Sequence, residues 1–86
     1  MATFDGVWRN IEACASQVFY TKTGVPFTYS VRYGQVHLDN TNRIISRNDF
    51  VKANALMPLS GPGQIRDLVQ GSAYIFGILS DGRIRA

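Results

Sequence analysis

Apolar residues recur at three- and four-residue intervals through the first stretch of the chain: Phe4, Val7, Trp8, Ile11, Cys14, Ala15 and Val18. That spacing lays them along one stripe of a helix, with Arg9, Asn10, Glu12, Ala13, Ser16 and Gln17 on the other side. Thr3 or Asp5 can cap the start, so the pattern predicts a helix over 4–17. The period then falls to two. Phe27, Tyr29, Val31 and Tyr33 alternate with Thr28, Ser30 and Arg32, as a half-buried strand requires. Gly34-Gln35 fits a two-residue type II′ turn, after which Val36 and Leu38 return along the same face. This register sets Tyr33 against Val36, Val31 against Leu38, Arg32 against His37 and Ser30 against Asp39. A short further strand over 43–45 can follow the polar turn Asn40-Thr41-Asn42.

Helical signals resume after it. Ser46, with Asp49 three residues on, forms a variant capping box for a helix that carries Phe50, Ala53 and Met57 inward and stops at Pro58. Pro62 suits the first position of a third helix, with Ile65, Leu68 and Val69 as its buried stripe, ended by Gly71. Residues 73–80 are apolar almost all round, and so form a buried helix or, alternatively, a central strand, ended by Asp81-Gly82. The expected fold is α+β: an N-terminal helix, a three- to four-stranded antiparallel sheet, then two to three short C-terminal helices. In it the Phe27, Tyr29, Val31, Tyr33, Val36 and Leu38 face packs against the first helix and the C-terminal helices.

Composition narrows the class. At 86 residues, with 45% apolar and 17% charged, the chain 1–86 reads as a single folded domain and not a disordered tail. The longest apolar run, 73–79, falls far short of the ~20 residues of a membrane helix, so no membrane partner is expected. Asp5 and Glu12 stand where a secretory signal needs a basic end and an apolar stretch. Cys14 is the lone cysteine, which fits a reducing, cytoplasmic setting. The net charge is +3, and the basic residues are arginines apart from Lys22 and Lys52. Arginine suits bidentate phosphate contacts, a mild pointer to nucleic acid.

Three blocks resemble those of a small uncharacterised bacterial domain family that occurs alone or fused to larger proteins, with gene-cassette proteins of similar size. They are Thr21-Lys22-Thr23-Gly24-Val25-Pro26-Phe27-Thr28-Tyr29, Leu59-Ser60-Gly61-Pro62-Gly63-Gln64-Ile65 with Leu68-Val69-Gln70-Gly71, and Gly71-Ser72-Ala73-Tyr74-Ile75. Ala73 and Phe76 depart from the family's last block, which reads closer to Pro-Ser-Tyr-Ile-Trp. The resemblance implies one compact domain and brings no activity and no catalytic residues.

Catalytic chemistry is thinly supplied. Ser30, His37 and Asp39 sit on the polar face of the hairpin with Arg32. A triad needs the acid and the hydroxyl on opposite imidazole nitrogens, whereas these side chains stand parallel off one surface. One Cys and one His cannot make a zinc site, and neither a cofactor nor an enzyme activity is expected. Gly61-Pro62-Gly63 ahead of a helix could present amides to an anion. The third and fourth helices, joined at Gly71-Ser72, weakly resemble a helix-turn-helix, although the second of them exposes almost no polar side chain to read bases.

Five Phe, four Tyr and one Trp exceed what so small a domain readily buries. The leading expectation is therefore a non-catalytic binding module. It engages a protein partner, or a second copy in a homodimer, through exposed aromatic surface at Tyr20, Tyr29, Tyr33 and Tyr74. The alternative is nucleic-acid binding through Arg32, Arg66, Arg83 and Arg85, with bases stacked on tyrosine.

Overall fold

The structure, a computed structural model, describes residues 3–85. Helix α1 (Phe4–Ala13) starts where Thr3 Oγ1 accepts the Gly6 N–H, and it buries Val7, Trp8 and Ile11. It ends four residues before the expected 4–17 boundary. Ser16 takes a left-handed φ of 73°, and its N–H donates to the Tyr29 carbonyl at 2.8 Å. The turn that this bond closes carries Val18 away from the helix stripe and leaves it exposed.

The strands form an α+β fold as expected, but in two sheets instead of one. Strands β1 (Phe19–Tyr20) and β2 (Pro26–Phe27) make an antiparallel ribbon, pairing Phe19 with Phe27 and Tyr20 with Pro26. Strands β3 (Tyr29–Arg32), β4 (Gln35–Leu38) and β5 (Ile44–Ser46) make the second sheet, in that order. The break falls at Thr28. Its carbonyl accepts the Asp39 N–H at 3.0 Å and its hydroxyl donates to the Asp39 carboxylate at 2.7 Å, so the chain turns a corner between β2 and β3.

The β3–β4 turn is Tyr33-Gly34, not Gly34-Gln35. Both residues have positive φ, 55° and 70°, the type I′ arrangement whose twist matches the flanking strands. The register therefore sets Tyr29 against Leu38, Ser30 against His37, Val31 against Val36 and Arg32 against Gln35. Each strand keeps its inward face, because the two registers differ by an even number of residues. The corrections concern the ends. Tyr29 is fully buried, and Tyr33, expected on the core face, stands at the turn with 95% of its surface exposed.

Helix α2 (Arg47–Asn54) is capped by Ser46, whose Oγ accepts the Asp49 N–H. The expected third α-helix does not form. Pro62–Gln64 makes only a 3₁₀ turn, and the Gln70 N–H is drawn to the Asp49 carboxylate at 3.3 Å. Ile65 and Val69 still reach the core, while Leu68 points outward. Helix α3 (Ser72–Leu79) resolves the helix-or-strand alternative for 73–80 and buries Ile75, Ile78 and Leu79. Helix α3 ends ahead of Asp81-Gly82, as expected, and a further short helix, α4 (Gly82–Arg85), follows; it buries Ile84, whose carbonyl accepts from Asn10 on α1 at 2.9 Å. One contiguous apolar core joins α1, both sheets, α2 and α3. Gly77 lets α3 approach β1 so closely that a Cβ there would lie 2.6 Å from the Tyr20 carbonyl oxygen.

Candidate functional site

The arginines divide by what surrounds them. Each nitrogen of the Arg83 guanidinium has an internal acceptor. Its Nε and Nη2 donate to the two Asp81 carboxylate oxygens at 2.9 and 3.0 Å, Nη1 to Gln17 Oε1 and Nη2 to the Val18 carbonyl, both at 2.9 Å. The guanidinium lies 4.0 Å from the centre of the Phe19 ring. This arrangement holds the Asp81 carboxyl below the usual carboxylate range, chiefly through the Arg83 hydrogen bond. Arg85 donates from Nε to the Leu79 carbonyl at 2.7 Å, satisfying a carbonyl at the end of α3. Both residues were candidates for phosphate contact, and both have internal acceptors that a phosphate would have to displace. Arg47 likewise pairs with Asp5 at 2.8 Å and stacks on Phe4.

Arg32 and Arg66, the other two nucleic-acid candidates, differ. Among the described residues, no carboxylate lies within ion-pair distance of either, nor of Arg43. These three arginines line a series of adjoining hollows. The first, about 260 Å³, lies between Arg32 and His37 on the outer sheet face and Arg43 beyond the β4–β5 turn. The second, about 480 Å³, runs between Thr41, Asn42, Arg43 and Tyr74. The third, about 330 Å³, is bounded by Arg43, Arg66 and Tyr74 with Gln70 and Ser72. Arg43 borders all three. Its stem passes close to Gly71, where φ is +74° and an added Cβ would sit 3.0 Å from Arg43 Cδ.

Reading the sequence missed Arg43. It is exposed just ahead of β5, two residues before the buried Ile45, and only the tertiary approach of Gly71 places it at the centre of the groove. Tyr74 borders two of the hollows, half-buried, with its ring edge-on to Phe27 at 5.1 Å. One acid, Asp39, borders the outermost hollow and accepts the Thr28 hydroxyl there.

The expected aromatic interface does not gather. Tyr29 is removed from it: it has no exposed surface, and its hydroxyl donates to the Ile11 carbonyl at 2.6 Å. Burial pushes its phenol well above the ordinary value, with Cys14 adding to the rise. Tyr33 projects from the β3–β4 turn, and Tyr20 is 58% exposed on the outer side of the β1–β2 ribbon. Val18 and Val25, just outside the ribbon strands, are also exposed, and Val18 borders a shallow hollow of about 300 Å³ over Pro26 and Phe27.

The remaining constellations are structural. Ser30 lies opposite His37, but the Asp39 carboxylate is turned to Thr28 and His37 Nδ1 faces Arg32 Nη2 at 3.5 Å, so no Asp–His–Ser relay is assembled. Of the amides expected to attract an anion around Gly61-Pro62-Gly63, that of Gly61 is taken, as is that of Ser60 before it. Ser60 and Gly61 both donate to Gln64 Oε1, and Lys22 Nζ covers the turn by donating to the Ser60 carbonyl. The helix-turn-helix resemblance fails because its first helix is absent as an α-helix. Among the described residues, no group of three or more His, Cys, Asp and Glu could hold a metal ion, and no helix is long and apolar enough to cross a membrane. Comparison of the chain with protein-family models, with curated proteins and with solved structures gives no match.

Proposed function

We propose that the domain is a non-catalytic module that binds single-stranded nucleic acid along the Arg32–Arg43–Arg66 groove. The observation that carries the reading is that three arginines without a carboxylate partner border hollows that all share Arg43. A track of positive charge interleaved with an aromatic ring is what a flexible, stacked polyanion needs: guanidinium groups for phosphates and a π-face for a base. Tyr74 supplies that ring between Arg43 and Arg66. The shallow, partly polar walls suit a single strand, whose bases and phosphates both lie open to side chains.

The test is a fluorescence titration of the whole chain with labelled single-stranded DNA and RNA at two or more salt concentrations. Three phosphate contacts give a slope of log K against log salt of about −2. Absence of binding at low salt, or an affinity indifferent to salt, rejects the reading.

A second reading has its own observation. Val18, Tyr20 and Val25, in and beside the β1–β2 ribbon, are each about half exposed, and such apolar surface suits a protein-binding or self-associating face. Light scattering tests the self-associating form: a mass that stays monomeric as concentration rises removes the homodimer.

A further inference from the structure

Taking the groove as the binding site just proposed, we infer that its third hollow holds a phosphate monoester at the end of the strand, in preference to an internal phosphodiester. The three hollows differ in charge. The first sets Arg32 and Arg43 against the Asp39 carboxylate, and the second has Arg43 alone. The third brings Arg43 and Arg66 to one space with no carboxylate on its wall. A phosphodiester carries one negative charge, which a single guanidinium answers. A monoester carries close to two at neutral pH and offers three acceptor oxygens, enough for two planar guanidinium forks at once. Gln70 and Ser72 on the same wall add neutral polar groups without adding charge. A volume of about 330 Å³ admits a phosphate with part of its sugar, while the adjoining Tyr74 remains available to the terminal base.

The experiment compares, with the full chain, two single-stranded oligonucleotides of one sequence, carrying a terminal phosphate or a terminal hydroxyl. A third strand, one nucleotide longer and ending in hydroxyl, controls for added charge. The phosphorylated strand binds about tenfold more tightly, the scale of one additional charge-assisted hydrogen-bonded contact. Arg66→Gln abolishes that ratio, whereas Arg32→Gln weakens both strands and preserves it. Arg66 is exposed and makes no internal ion pair among the described residues, so the variant folds, as a thermal melt verifies. Equal affinity for the two ends, a gain matched by the longer strand, or a ratio that survives Arg66→Gln overturns the inference while leaving the groove standing. Failure of all three strands to bind at low salt overturns the groove reading and this inference with it.

Discussion

The two ends of α3 use arginine in opposite ways. At the C-terminal end Arg83 and Arg85 meet carbonyls, a carboxylate, an amide oxygen and an aromatic face. Positive charge is favourable there, because the last carbonyls of a helix lack partners and carry the negative end of its dipole. At the N-terminal end Arg43 and Arg66 find no such acceptors and border open space. The comparison teaches that position near the chain terminus, or clustering in the sequence, does not mark a binding arginine. What the fold decides is which guanidinium groups have internal acceptors and which are left facing open space, and the proposed groove is built from the second kind.

The largest effect is expected at the close contact that seats α3. Gly77→Ala drives a Cβ into the Tyr20 backbone oxygen, which has no rotamer through which to retreat. Overpacking against backbone costs on the order of 3 kcal/mol, read as a lower denaturant midpoint. If stability changes by less than about 0.5 kcal/mol, the level of an ordinary surface substitution, the helix is not clamped to β1 as described.

Beneath the Arg83 clamp lies Tyr29, whose ring packs on Phe19 at 5.4 Å. Tyr29→Phe leaves the Ile11 carbonyl without its donor in the core and costs about 2 kcal/mol. The same group predicts a pH dependence. Its phenol keeps its proton in the fold at pH values where the unfolded chain, titrating near 10.0, has lost it. The folded state then binds more protons, so stability is fully present below about pH 10 and declines as pH rises toward the folded value. Unfolding followed across the alkaline range shows this limb in the native chain and a flatter one in Tyr29→Phe. Identical alkaline limbs would assign the loss to another group.

These residues also mark how far the sequence could be read. The start and the first turns of helix α1, the Ser46 cap and the inward faces within β3 and β4 are written in local periods and caps, and they stand as the pattern has them. The hairpin register is not, because two registers differing by an even number of residues preserve the same faces. Only the positive φ of Tyr33, which its side chain does not advertise, moves the turn by one residue. That step takes Tyr33 off the core face and into solvent, while Tyr29 keeps its place there and gives its hydroxyl to α1. The third helix failed for a similar reason, since a 21-residue contact from Gln70 to Asp49 outweighs a stripe of three apolar residues flanked by glycines. Arg43 and Arg66 lie 23 positions apart and meet only through the fit at Gly71, for which no local signal exists.

The smallest effects carry the sharpest test of the comparison, because they run in opposite directions. Arg83→Ala removes the stacking on Phe19 and the bonds to Gln17 and Val18 at a partly exposed position, which costs about 1 kcal/mol of stability. It removes no groove contact, so oligonucleotide affinity and its salt slope stay unchanged. Arg66→Ala does the reverse. Stability moves by no more than about 0.5 kcal/mol, because the side chain is exposed and holds nothing in place. The salt slope meanwhile shrinks by about 0.7, the share of one phosphate contact on a single strand. Measuring both quantities on both variants separates the two ends completely. Were Arg83→Ala to flatten the slope, the C-terminal arginines would belong to the binding surface after all, and internal acceptors would no longer distinguish a structural guanidinium from a functional one.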